Sequence, residues 1–150
     1  MNYTMSPTGR QNLTERFEGD ILTAYPDPAS GGAPWTIGYG HTGPDVYQGL
    51  VWTQGQADAA LQTDLAWAEA AVSREVTVPL SQNQADALID FVFNEGETNF
   101  HQSTLLAKLN QGDYDGADAE FQKWDKAAGR FMQGLLNRRE AEAADFNQPT

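Results

Sequence analysis

The strongest constraint in this sequence is where its turn-forming residues fall. Residues 20–52 hold six of the fourteen glycines and four of the seven prolines, interleaved with Tyr, Ile, Thr and Val. Glycine accepts positive φ and proline interrupts a helix, so this stretch predicts short strands and tight turns. The pattern on either side is helical. Ser6-Pro7 reads as an N-cap with proline at the first helical position, opening a helix that carries Leu13 and Phe17 and closes at Gly19. Glu18 then stands in its last turn. Thr53-Gln54-Gly55-Gln56 and Ser81-Gln82-Asn83-Gln84 both match the capping box, in which a hydroxyl and a side-chain amide satisfy orphan backbone donors reciprocally. The first opens a helix of about twenty residues with Leu61, Leu65, Ala68 and Val72 on one stripe, ending near Pro79. The second carries Ala85, Leu88, Ile89, Val92 and Phe93 and stops at Gly96. Further helices are predicted over Thr104–Asn110, 113–127 and 131–146, punctuated by Gly112 and Gly129. The reading is α+β within a single domain spanning residues 1–150. A small β-containing lobe (about 20–52) precedes a long linking helix (about 53–75). An all-helical lobe (about 76–146) follows, completed by the N-terminal helix.

Composition narrows the function. Hydrophobic residues make up 40% of the chain, including four Trp, seven Phe and five Tyr, enough to build a core. Without cysteine, disulfides, thiol catalysis and thiolate metal sites are excluded. His41 and His101 lie far apart, so neither a metal nor a cofactor is expected. Nine basic against twenty-one acidic residues give a formal charge of −12, which repels phosphate backbones and anionic headgroups and argues against nucleic-acid binding. No run approaches the roughly 18 apolar residues of a membrane span. Residues 1–13 lack the apolar segment of a secretory signal, so neither stable membrane insertion, a signal peptide nor an anchor is expected.

Cleavage of a glycosidic bond commonly takes two carboxyl groups, one giving a proton to the leaving oxygen and the other ionised. Glu18 and Asp27 are nine residues apart, at a helix end and in the turn-rich lobe. Among twenty-one acids that spacing alone selects little. The surrounding residues select more. The segment FEGDILTAYPDPASGGAPWTIGYGHTG (residues 17–43) resembles the phage-type lysozymes, the muramidase endolysins among the glycoside hydrolases. The resemblance continues in order through LSQNQADALIDFVFNEG, STLLAKLN, GDY, EFQKW and GLLNRREAE, covering nearly the whole chain. One departure is a segment between Asp27 and Thr36 about three residues longer than the family's shortest form, a length that glycine can absorb at positive φ.

The resemblance implies a lysozyme-like fold and hydrolysis of the β-1,4 bond between N-acetylmuramic acid and N-acetylglucosamine in peptidoglycan, causing host lysis. It implies Glu18 as general acid, Asp27 as the ionised partner and Thr36 as holder of the attacking water. Inversion is then expected, with the carboxyl groups roughly 6.5–9.5 Å apart to admit that water. Tyr25 belongs to the same motif. Arg138, beside Arg139, matches a family arginine near the catalytic glutamate; the alternative is an ordinary solvated cation. His41 is expected to be structural, with Asp64 as its ion-pair partner. Asn94 is placed to offer its amide to substrate or to cap its own helix. Trp35, Trp52, Trp67 and Trp124 offer a stacking surface for sugars or, for most of them, packing. A monomer acting on peptidoglycan is expected. It would wait in the host cytoplasm and depend on a holin to reach the wall, in the manner of single-domain endolysins of Gram-negative hosts. Two other readings stay open: a lytic transglycosylase, which needs no water, and a wall-binding module without activity. Having both Asp27 and Thr36 favours hydrolysis.

Overall fold

The computed structural model describes residues 2–148. Two compact units divide the chain: residues 15–66 form one, and residues 2–14 with 67–148 form the other.

The smaller unit begins at the end of a helix, α2 (Arg16–Glu18), which Gly19 closes at φ 73. Three antiparallel strands follow in the order β1 (Ile21–Tyr25), β2 (Thr36–Gly38) and β3 (His41–Thr42). Tyr25 pairs with Thr36, Ile21 with Gly38 and Ile37 with His41, the β1–β2 ladder shifting register once between its ends. The turn-rich stretch is thus a meander, as its glycines and prolines predict. Its core is Ile37, Ala24 and Val46, with Trp35, Leu50 and Trp52 packed against them. Ile37 is wholly buried, worth roughly 1.5–3 kcal/mol against exposure. The next helix, α3 (Gln54–Glu75), opens on a formed capping box. Gln56 N donates to Thr53 Oγ1 (3.2 Å), and Thr53 N donates to Gln56 Oε1 (2.9 Å). Ala57, Leu61 and Leu65 supply its buried stripe in this unit, and α3 runs on into the other.

The larger unit is helical except for one small hairpin. Ser6 caps α1 (Pro7–Gly9), accepting from Gly9 N at 3.0 Å. The helix widens into a π-helical stretch, Arg10–Glu15, before α2, an irregularity no residue in the sequence signals. Ser81 and Gln84 complete the capping box of α4 (Gln82–Glu95), in which Leu88, Ile89, Phe91 and Val92 are all fully buried. Burial all round marks it as the central helix. Gly96 ends it at φ 92, and a short helix, α5 (Glu97–His101), follows directly. Then come α6 (Thr104–Asn110), α7 (Tyr114–Glu120), a 3₁₀ turn (Phe121–Lys123), β4 (Lys126–Ala127), β5 (Arg130–Phe131) and α8 (Gln133–Phe146).

The hairpin revises two helix boundaries expected from sequence. The helix over 113–127 ends at Glu120, and Phe131 lies on a strand. Ala128 at φ 50 and Gly129 at φ 77 turn the chain between β4 and β5. Alanine favours helix, but tertiary context overrides so weak a preference.

Candidate active site

Three residues of interest share one short strand or its ends. Thr36 opens β2, across the ladder from Tyr25. Asp27 lies two residues beyond Tyr25, in the turn that leads back to β2. Glu18 reaches the other end of β2. A methyl group added at Gly40, in the turn after β2, would stand 2.9 Å from Glu18 Oε2, so the carboxyl rests on bare backbone. Gly40 also has φ 80, which any side chain would strain.

The turn carrying Asp27 is tied to itself. Asp27 N donates to Gly32 O (2.9 Å) and Gly31 N donates to Asp27 O (2.8 Å). Ser30 N donates to Asp27 Oδ2 at 3.1 Å, which holds the carboxylate on its own turn. Gly31 stands at φ 72 in this turn, a conformation that glycine adopts without strain.

His41, on β3, bridges two carboxylates. Its Nδ1 donates to Asp64 Oδ2 (2.7 Å), the partner to which helix register points, and its Nε2 donates to Asp45 Oδ2 (3.0 Å). Its ring lies 5.3 Å from that of Trp52. Asp45 escapes sequence reasoning because its partner lies across a glycine turn with no regular period. Burial pushes the imidazole down, but Asp64 and Asp45 outweigh it and hold it above its ordinary 6.5. A histidine raised on folding stabilises fully below the unfolded pKa, and that contribution is lost as pH rises through the folded one. The His41 resonance in an NMR titration is therefore expected to titrate above 6.5; a midpoint at or below it would contradict the bridge.

Asn94 and Arg138 belong to the larger unit. Asn94, in the last turn of α4, has a buried side-chain carbonyl with no hydrogen-bond partner and borders a hollow of about 400 Å³ with Glu95, Asn99, Trp124 and Lys126. Arg138 is not a solvated cation. Only 4% exposed, it donates from Nε to Asp90 Oδ2 (2.9 Å) and from Nη2 to Asp90 Oδ1 (2.7 Å). Thr14 Oγ1 donates to Asp90 Oδ1 as well (2.8 Å). Beside it, fully buried Arg139 donates to Glu95 (2.6 Å) and Glu142 (2.9 Å) and lies over the Phe91 ring. Burial opposes ionisation of Asp90, yet Glu142, Arg138 and Thr14 together hold it down at about 2. Burial, then Asp90, pushes the Glu142 carboxyl well above the ordinary range.

The four tryptophans divide. Trp35 and Trp52 pack on the sheet core, and Trp124 meets Phe91 edge to face at 5.5 Å. Trp67 stacks on Phe93 and keeps 44% exposure. Among the described residues no three His, Asp or Glu gather as metal ligands, and no helix is long and apolar enough to cross a membrane.

The phage lysozyme family model matches residues 15–142. The endolysin of Acyrthosiphon pisum secondary endosymbiont phage 1 is 49% identical over 138 residues, covering 89% of this chain and 92% of that protein. A crystal structure of a mutant P22 lysozyme superposes with a TM-score of 0.86 at 39% identity, covering 97% of this chain and 99% of that one. The muramidase domain of SpmX from Asticaccaulis excentricus gives 0.88 at 34% identity, over 98% and 99%.

Proposed function

This chain belongs to the phage lysozyme family and is a glycoside hydrolase of the lysozyme type; from that premise we propose that Glu18, Asp27 and Thr36 carry its reaction, hydrolysis of the β-1,4 bond between N-acetylmuramic acid and N-acetylglucosamine in peptidoglycan. The observation that supports this assignment is the single strand β2, with Thr36 at its start, Tyr25 opposite, Asp27 just beyond, and the Glu18 carboxyl seated on the turn that follows.

Glu18 donates a proton to the glycosidic oxygen as the bond to the anomeric carbon breaks. Thr36 Oγ1 and the Asp27 carboxylate hold a water against the opposite face of the ring. Asp27 takes that water's proton as its oxygen joins the anomeric carbon, and the configuration inverts. Tyr25 fixes the start of β2 through the ladder, and His41 fixes the strand that follows. Asn94 offers its amide to acetamido or hydroxyl groups of the substrate. Arg138, held by Asp90, supports the helix that carries it.

Mass spectrometry of digested wall fragments tests the reaction. Hydrolysis adds one water to each cleaved chain; products lacking that water, with an anhydro-sugar end, would make the protein a transglycosylase.

The enzyme acts as a monomer and reaches the wall from the cytoplasm only when a holin opens the membrane. Cells expressing this chain alone should stay intact until the membrane is permeabilised, and prompt lysis without a lesion would contradict this route.

A further inference from the structure

One buried hydroxyl in the smaller unit has more partners than packing requires. Tyr39 follows β2 directly and is only 8% exposed. Its hydroxyl accepts from Gln54 Nε2 (3.0 Å) and has two carboxylates in reach of its proton, Asp58 Oδ1 at 3.3 Å and Glu15 Oε1 at 3.4 Å. Gln54 Nε2 also donates to Asp58 Oδ1 (2.9 Å), so the first turn of α3 presents a prearranged donor–acceptor pair. Burial, and then the charges of Glu15, Asp20 and Asp58, push the phenol up to about 12, so its proton stays in place at any working pH.

What this arrangement holds is the helical turn that ends in Glu18. Glu15 lies one turn before Glu18, and its carbonyl accepts from Gly19 N (3.3 Å), closing that turn. Two consecutive residues therefore meet it: Tyr39 shares its hydroxyl proton between Glu15 and Asp58, and Gly40 supports the Glu18 carboxyl through bare backbone. The next residue, His41, ties the segment to Asp64 farther along α3. Residues 39–41 are thus anchored to one rigid helix at two points, six to ten residues apart, and in turn seat the helix end. A phenylalanine would fill the same volume without making the link.

We propose that Tyr39 is a positioning residue for the Glu18 carboxyl, its hydroxyl joining Glu15 to Gln54 and Asp58 so that the last turn of the helix keeps Glu18 seated over Gly40. The proposal rests on the reading of Glu18 as the general acid. It follows from the cost of misplacement, since a shift of an ångström at a reacting group outweighs the loss of one partly shared hydrogen bond to stability.

The test is Tyr39→Phe, which keeps the ring. At a temperature well below the unfolding transition, kcat is expected to fall by about tenfold with KM within about twofold. In protein labelled with ¹³C at glutamate carboxyls, the Glu18 resonance should shift or broaden. A purely structural hydroxyl would lower Tm and leave both readouts unmoved, and that result overturns the proposal. Glu18→Gln, measured alongside, separates the two ideas. If that variant keeps its activity, the reading of Glu18 as the acid fails, while a displaced Glu18 resonance in Tyr39→Phe still carries the positional link. If Glu18→Gln is inactive but Tyr39→Phe retains full kcat, the positioning role is wrong and the acid assignment stands.

Discussion

Glu18→Gln is expected to lower peptidoglycan hydrolysis by about 10²–10⁴-fold, the range that a positioned general acid supplies. The amide keeps the size and the seat over Gly40 but has no proton to give the leaving oxygen. KM should change little, because the carboxyl is asked to act in the transition state rather than in binding. The fold should survive, since Glu18 lies at a helix end and not in the core of either unit. A turbidity assay on permeabilised cells measures the rate, and urea unfolding checks the fold. A variant with most of its activity intact would remove Glu18 from the reaction.

The second large effect is on stability. Asp90→Ala takes the carboxylate that pairs bidentately with Arg138 and also the acceptor for Thr14. Arg138 is 4% exposed, so the variant removes the bidentate counter-charge of a buried cation. Breaking a buried pair from one side costs about 3–5 kcal/mol, a large part of the total stability of a domain this size. The loss is read as a fall in the urea midpoint at pH 7. Its pH dependence has a definite sign. Asp90 is depressed from 3.8 to about 2, so its contribution is present above 3.8 and is lost as pH falls through 2. The gap between wild type and Asp90→Ala should therefore narrow toward pH 2. A loss under about 1 kcal/mol would mean that Arg138 finds other partners, as exposed pairs commonly do.

These two predictions draw on parts of the molecule that were not equally legible in the sequence. Caps were legible, because a cap is a local bargain between a side chain and the next turn. Ser6-Pro7, Thr53 with Gln56 and Ser81 with Gln84 all form in the structure as their spacing indicates. The sheet was legible as a turn-rich stretch, and β2 and β3 were not, since strands of three and two residues carry no period. The hairpin at 126–131 was hidden by alanines that favour helix while tertiary contacts decide otherwise. The π-helical stretch at 10–15 leaves no mark in composition.

At the site, Glu18, Asp27 and Thr36 were marked by the motif around them, and their spacing alone would not have separated them from the other acids. Their support was harder to see. Arg138 reads in sequence as a surface cation or a companion of the catalytic glutamate, because nothing local shows that Asp90, 48 residues earlier, is its partner. Tyr39 reads as an aromatic in a strand, and only the fold brings Glu15, Gln54 and Asp58 to its hydroxyl. Asp45 gains its meaning from His41 across a turn at Gly43.

In the proposed reaction water displaces the leaving sugar, with Glu18 on one face of the ring and Asp27 and Thr36 on the other. That displacement is tested most directly by proton NMR of the reducing end first formed when the enzyme cleaves a soluble peptidoglycan oligosaccharide, recorded before mutarotation equilibrates the anomers. The α-anomer is expected at the earliest times, and a first-formed β-anomer would rule out inversion.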